Sequence, residues 1–537
     1  MPAESVVELD GASLTPEDVV AVAREDAPVR LAEEARTAVR ASRERVESVV
    51  ESGEAVYGIN TGFGDLVDTR IPPERVDRLQ TNLVRSHAAG AGRELRREEV
   101  RALLLTRANA LAKGYSGVRE VVVDHLVTLL AEGVHPVVHS RGSLGASGDL
   151  APLAELSLVL IGEGSARVEV EGREGDEQDG TEVLSGEAAL DRAGLEPLTL
   201  RAKEGLALIN GTQLTVGLAA LLVHDAERLC RAADAAGALT TEVTMGTTAA
   251  AEAAVQSVRP HAGQATSAAN VKRLCAASEV VESHRNCDRV QDAYSLRCLP
   301  QVHGAVRDAV AHLREAVEVE LNSATDNPLV FPAGRVDRRT SGTDRADVVS
   351  GGNFHGEPLA LRLDYATNAL TELAAIAERR VDRLLNPHLQ ESHLPPFLTT
   401  ESGLRSGLMI AQYTAASLVA ECRASGRAST DTIPVSGNQE DHVSMSATAA
   451  FGARRALDAA RTVVGVELLC AAQAAEFVDD DLSHGVGTGA TYEAVRDVVP
   501  PLDDDRVLHP DIAACDALVA TGALDATLAA ALDGGIE

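Results

Sequence analysis

Ala146-Ser147-Gly148 is a tripeptide that could make its own electrophile. It lies in Gly142-Ser143-Leu144-Gly145-Ala146-Ser147-Gly148-Asp149-Leu150-Ala151-Pro152. Glycines there let the backbone take conformations that other residues avoid, and let a peptide nitrogen approach a carbonyl closely. If the nitrogen of Gly148 attacks the carbonyl carbon of Ala146, a five-membered ring closes. Loss of water completes an imidazolone, and loss of the Ser147 hydroxyl leaves an exocyclic methylene. No standard side chain is an electrophile, so a protein that needs one borrows a cofactor or builds it. Plainer readings compete. Gly/Ser-rich stretches are usually loops. A phosphate cradle would end in the Lys-Ser/Thr of a P-loop, which is absent. A serine nucleophile would sit in Gly-x-Ser-x-Gly, but Asp149 takes the place of the second glycine.

Other polar clusters interrupt apolar segments. Tyr57 opens a glycine-rich loop, residues 57–64, whose glycine spacing does not fit a dinucleotide fingerprint; a mobile loop carrying a tyrosine is a candidate lid. Ser86-His87 closes an amphipathic helix. Asn210 falls inside the most apolar helix. Gln291, Tyr294 and Arg297 crowd one short stretch. Phe354 lies in a second glycine-rich turn, and Glu440-Asp441-His442 is dense in donors and acceptors. Singly, each has a bland explanation. His87 would be a helix cap, Asn210 a partner for a loop, and Tyr294 with Arg297 one face of a salt-bridged helix. Phe354 would be core, and Glu440 part of a solvated run or an N-cap. Together they are the company a buried electrophile needs: an acid or base, a carboxylate clamp and donors for a polar substrate.

The elements that must position them read as mainly helical. Helical patterns cover 16–52, 75–92, 97–112, 118–132 and 153–161. Residues 168–182 read as an exposed hairpin or loop. From 205 onward helices dominate: 205–236, a stripe of Val306, Val310, Leu313, Val317 and Leu321, then 356–385, 402–425, 441–475 and 487–498. Residues 332–351 read as a loop. The expected organisation is a mixed N-terminal region, 1–204, carrying the Ser147 stretch, followed by a long-helix bundle, 205–537.

Composition narrows the function class. The chain has 537 residues, 45% hydrophobic but only 2% aromatic, so Leu, Val and Ala must fill a large core. Its formal charge of -32 argues against nucleic acid or an anionic membrane as partner. Lys113, Lys203 and Lys272 are its only lysines, and an acidic, lysine-poor surface suits solubility in concentrated salt. The 7 cysteines are scattered without a CxxC, which fits reduced cytosolic thiols, and no ligand spacing suggests a metal. The N-terminus lacks the basic and apolar regions of a signal peptide, and the run Leu214 to Val223 is too short to span a bilayer.

These motifs, in this order, resemble the histidine and aromatic amino acid ammonia-lyases, the family with a self-made methylidene-imidazolone cofactor. The resemblance rests on residues 57–64, 142–153, 210–213, 291–297, 322–328, 352–358 and 438–442, and covers most of the chain. It implies that Ala146, Ser147 and Gly148 become the cofactor, with none taken from outside. It implies that Arg297 pairs with the substrate carboxylate, and that Asn210 and Gln291 hydrogen-bond the substrate or the cofactor oxygen. Tyr57 becomes a lid residue and possible proton acceptor, Tyr294 a second acid/base candidate, Phe354 a packing surface, and Glu440 a partner for the substrate ring that assists proton transfer. It also implies a cytoplasmic homotetramer whose sites combine residues from three chains. Three positions depart from the family pattern: Glu155 for a histidine, Ala293 for a proline and His303 for an apolar residue.

Within the family the chain is similar to the histidine branch. Ser86-His87 and Glu440 match that branch, where the tyrosine and phenylalanine enzymes carry other residues. An imidazole brings a donor and an acceptor that need partners once buried, and His87 and Glu440 supply them. The implied reaction is loss of ammonia from L-histidine to give trans-urocanate, the opening step of histidine degradation, with the electrophile taking up either the amine or the ring. The alternatives are a tyrosine or phenylalanine lyase or aminomutase, an inactive helical scaffold that keeps the motif as structure, and a serine hydrolase using Ser147.

Overall fold

Helix Arg97–Ala112 shows how an aromatic-poor sequence builds this protein. Val100, Leu103, Leu104, Leu105, Ala108 and Leu111 are buried, and so are Arg101, Arg107 and Asn109. Polar groups inside a core need partners. Arg101 donates to the carbonyls of Val22 at 2.9 Å and Leu130 at 3.0 Å, and Asn109 donates to that of Leu321 at 2.9 Å. The computed structural model describes residues 6–61, 71–169, 180–285, 287, 289–336, 341–430 and 432–537.

The chain forms two units. The first comprises Met1–Leu221, Leu313–Asp364 and Arg427–Phe451; the second comprises Leu222–His312, Tyr365–Gly426 and Gly452–Glu537. From sequence the chain divides once, at 204/205. The observed segments interleave, and the division falls inside four helices: Gln213–Val243, Leu299–Leu321, Glu357–Leu385 and Ser446–Ala475. Apolar stripes continue through those helices, so composition gives no signal there.

Every strand among the described residues belongs to the first unit. Val7–Leu9 pairs in parallel with Val29–Leu31, and Ala91–Glu94 pairs antiparallel with His139–Arg141. Val134–Pro136, Ser165–Glu169 and Thr181–Ser185 make a three-stranded antiparallel sheet. Leu329–Pro332, Ala346–Val349 and Ser341–Gly342 make another; the last two lie in 332–351, which reads as loop from sequence because its strands are short and polar-flanked. The 16–52 pattern is two helices, Pro16–Arg24 and Glu33–Ser52, with strand Val29–Leu31 between. A capping box closes the first: the Thr15 hydroxyl accepts from the Asp18 N–H while the Asp18 carboxylate accepts from the Thr15 N–H.

The second unit is helical. Arg380 and Glu467 are fully buried in it and pair at 2.8 Å. Arg380 donates to His303 Nε2 at 3.2 Å, and His303 Nδ1 donates to Asp234 at 2.7 Å. His303 joins two buried charged groups, and burial pushes its pKa down. All seven cysteines are free, and among the described residues no single helix is long and apolar enough to cross a membrane.

Candidate active site

Three helices of the first unit support the Ser147 stretch. Val76–His87, Leu150–Leu160 and Glu204–Ile209 pack on one another. The first ends at His87, the second begins after Asp149, and the third stops before Asn210. Gln80, fully buried, accepts from the N–H groups of Gly205 at 2.9 Å and Leu206 at 3.3 Å, satisfying the start of the third helix. Lys203, also fully buried, precedes that helix and pairs with Asp326 at 2.7 Å.

The stretch reading as one helix from 205 breaks at Asn210–Thr212, because Asn210 is extended (ψ 114°) and Gly211 takes φ +148°. A Cβ on Gly211 would stand 2.3 Å from Gln213 Oε1. Arg107 sits beneath, fully buried, donating to the Asn210 carbonyl at 3.1 Å and to Gln213 Oε1 at 2.6 Å. Burial brings its pKa down to about 10. The break frees Asn210 to donate from Nδ2 to the Ser147 carbonyl at 2.6 Å.

Gly148 lies against this break. Its φ is +76°, and a Cβ there would stand 2.2 Å from the Gly211 carbonyl oxygen. The next residue donates its N–H to that same oxygen at 2.7 Å. Asp149 is fully buried; its carboxylate accepts from Ser143 Oγ at 2.7 Å and from the Thr215 N–H at 2.9 Å, and burial pushes its pKa up. On the other flank, Gly145 accepts from the Gly356 N–H at 3.1 Å and from Ser444 Oγ at 3.0 Å, and Leu144 accepts from the Met445 N–H at 2.7 Å. The tripeptide is therefore gripped on both sides. The half-buried Ser147 hydroxyl points at Glu440, donating to Oε1 at 3.0 Å.

Ala146, Ser147, Gly148, Asn210 and Glu440 are thus brought together. Tyr57, His87 and Phe354 belong to the same unit and are half-buried. Tyr57 stands on a turn over a core of Val46, Val49, Val56 and Ile59, and the Leu206 and Pro328 side chains lie 2.7 Å from where a Gly58 Cβ would be. The rest of its loop, from Gly62, lies outside the described residues. His87 Nδ1 donates to the Leu83 carbonyl at 2.9 Å, which leaves Nε2 facing away from the helix backbone for a further partner. Gln291, Tyr294 and Arg297 belong to the second unit. There the Arg297 guanidinium lies over the Tyr294 ring, 4.4 Å from its centroid, which gives their three-residue spacing a physical meaning.

Residues 14–497 match the model of the aromatic amino acid lyase family. The chain belongs to that family. It is 64% identical to the probable histidine ammonia-lyase of Halobacterium salinarum, over 99% of each chain. It is 51% identical to the histidine ammonia-lyase of Gloeobacter violaceus, over 96% of each. Its fold superposes on the crystal structure of histidine ammonia-lyase from Trypanosoma cruzi with a TM-score of 0.86 at 38% identity, covering 97% of this chain and 95% of that one. It superposes on tyrosine aminomutase from Streptomyces globisporus with a TM-score of 0.90 at 39% identity, covering 99% and 100%. Fold alone therefore does not choose a substrate within the lyase family.

The family departures are locally accommodated. Ala293 has φ -60° and ψ 154°, values a proline would adopt. Glu155 accepts from the N–H groups of Gly90 at 3.1 Å and His139 at 2.7 Å. It ties the segment following His87 to the strand leading into the Ser147 stretch. Arg107, Asp149 and Glu155 have structural roles that their types alone do not announce; an arginine or carboxylate on an otherwise apolar helix face is the available signal for Arg107 and Glu155, and Asp149 precedes such a helix.

Proposed function

We propose that this chain eliminates ammonia from L-histidine to give trans-urocanate. The observation that carries this reading is the 3.0 Å contact between Ser147 Oγ and Glu440 Oε1. An acceptor carboxylate reaches the serine of the candidate ring-forming tripeptide Ala146-Ser147-Gly148. Once that hydroxyl is gone, the same oxygen is an acceptor for an imidazole N–H, and His87, in the same unit, is the partner offered to the other ring nitrogen. A phenyl ring would leave these groups unpaired, at roughly 1–3 kcal/mol each.

The residues fit a methylidene-imidazolone made from Ala146, Ser147 and Gly148: the positive φ and the crowding at Gly148 demand glycine, and Asn210 holds the Ser147 carbonyl. That group would supply the electrophile that protein side chains lack. The chain's own residues do the rest. Arg297 clamps the substrate carboxylate with its planar fork, and Gln291 donates beside it. Phe354 packs on the substrate. Glu440 holds the imidazole and assists as Tyr57 or Tyr294 takes the proton from the β-carbon, which then passes to the departing ammonia. Residues 1–204 carry the cofactor-forming loop, and the helical remainder assembles a cytoplasmic homotetramer in which Gln291, Tyr294 and Arg297 complete the site. The net charge of -32 and the salt-tolerant composition fit a halophile.

Incubation with L-histidine, L-tyrosine and L-phenylalanine in turn tests this. Turnover of histidine alone is expected; turnover of tyrosine but not histidine would transfer the reading to the tyrosine branch. Intact mass separately tests the electrophile, because the mature ring lacks two waters relative to the encoded chain.

A further inference from the structure

The turn carrying Phe354 and the segment carrying Glu440 meet at a second cluster. His355, Glu357 and His442, all of the first unit, each place one ligand atom within 4.8 Å of the others. Linear spacing hides this, since His442 is far from the other two along the chain. The His355 and His442 rings stack with centroids 5.6 Å apart and planes 3° from parallel.

The protonation pattern suits a ligand set. His355 Nε2 lies 3.2 Å from the His442 carbonyl, so Nε2 carries the proton and donates. The Glu357 N–H donates a long, weak hydrogen bond to His355 Nδ1 at 3.4 Å, so the lone pair is on Nδ1, and an ion bound there would take the place of that bond. A histidine whose other ring nitrogen donates to a backbone carbonyl is the usual form of a metal ligand. Glu357 adds the second observation: its Oε2 is buried and has no hydrogen-bond partner. A buried carboxylate oxygen without a partner is costly and calls for a cation or donor. Its charge also offsets the positive end of helix Glu357–Leu385, which would otherwise repel a cation.

We propose that His355, Glu357 and His442 bind one divalent transition-metal ion of the Zn2+ type, cross-tying the Phe354 turn to the Glu440 segment. Two imidazoles and one carboxylate are a borderline donor set that favours zinc or cobalt over calcium or magnesium. The ion's role is to stiffen two walls beside the Ser147 stretch. Its binding is independent of the histidine-lyase reading and is measured without turnover.

Full-length protein is stripped of metal by chelator, then titrated with Co2+ and with Zn2+. One ion per chain is expected, with visible cobalt absorption typical of nitrogen and oxygen ligands and without a sulfur-to-cobalt charge-transfer band. Affinity should fall by about tenfold or more in both Glu357→Gln and His442→Gln. Absence of a stoichiometric ion in the wild-type chain, a thiolate band marking cysteine binding, or unchanged affinity in the two variants would overturn the proposal. The wild-type spectrum decides the ligand class even where a variant fails to fold.

Discussion

Asn210 and Ser147, 63 positions apart, are joined by a 2.6 Å hydrogen bond from the amide to the carbonyl of the ring-forming serine. The bond exists because a helix is interrupted at Asn210, and the interruption is held by the buried Arg107. Asn210→Ala should leave most of the chain at its unmodified intact mass and lower histidine turnover by roughly 10²–10³-fold, as for loss of one positioned oxyanion donor. A variant with full mass loss and full turnover would show that the carbonyl needs no donor.

Gly148→Ala should fail more completely. Its Cβ would overlap the Gly211 carbonyl oxygen at 2.2 Å, on top of a φ of +76°. A stability loss of roughly 3 kcal/mol is expected, with no ring formed. Thermal melting and intact mass check both; a stable, dehydrated variant would mean that the backbone can relax away from Gly211.

Much of this was legible in the sequence. Helix 97–112 appears with the predicted limits, and Glu357–Leu385 and Val486–Val498 within a residue, since their apolar periods are uninterrupted. The Asn210 break was not, because Leu206 to Val223 is apolar on both sides of it and the kink depends on Gly211 and on Arg107 from another helix. Short strands such as Ser341–Gly342 carry no periodicity to read. The candidate residues are read from the sequence by type, but not their pairing: nothing in the sequence aims the Ser147 hydroxyl at Glu440.

Substrate choice is expected to follow the two imidazole partners. Glu440→Gln keeps shape but loses charge, and His87→Leu loses the second ring partner. Each should lower kcat/KM for histidine by roughly 10–100-fold, in line with an unpaired buried polar group, while melting temperature changes little for His87→Leu. Steady-state kinetics decides; an unchanged kcat/KM in His87→Leu would remove that residue from substrate recognition.

Acid sensitivity should trace in part to His135. Burial, then Arg101 and Arg97 nearby, lower its pKa from 6.5 to about 3, and Arg101 donates to its neutral Nε2 at 3.3 Å. An unfolded histidine protonates near 6.5, so between the two values the unfolded chain holds more protons and stability falls as pH falls. The slope is about 1.4 kcal/mol per pH unit from this residue. His135→Gln should flatten the decline below pH 6.5 in denaturant titrations; an identical slope would place the acid sensitivity elsewhere.

The acidic surface predicts that activity rises with molar salt, because screening relieves the repulsion among fixed charges that total -32. Activity already maximal in dilute buffer would contradict a salt adaptation.

The most direct measurement is the near-ultraviolet absorbance of urocanate on mixing purified protein with L-histidine, run beside Ser147→Ala. Absorbance should grow steadily with the wild-type chain and stay flat with a folded Ser147→Ala. No urocanate from the wild type, or equal rates from the two proteins, would contradict a histidine lyase built on Ser147.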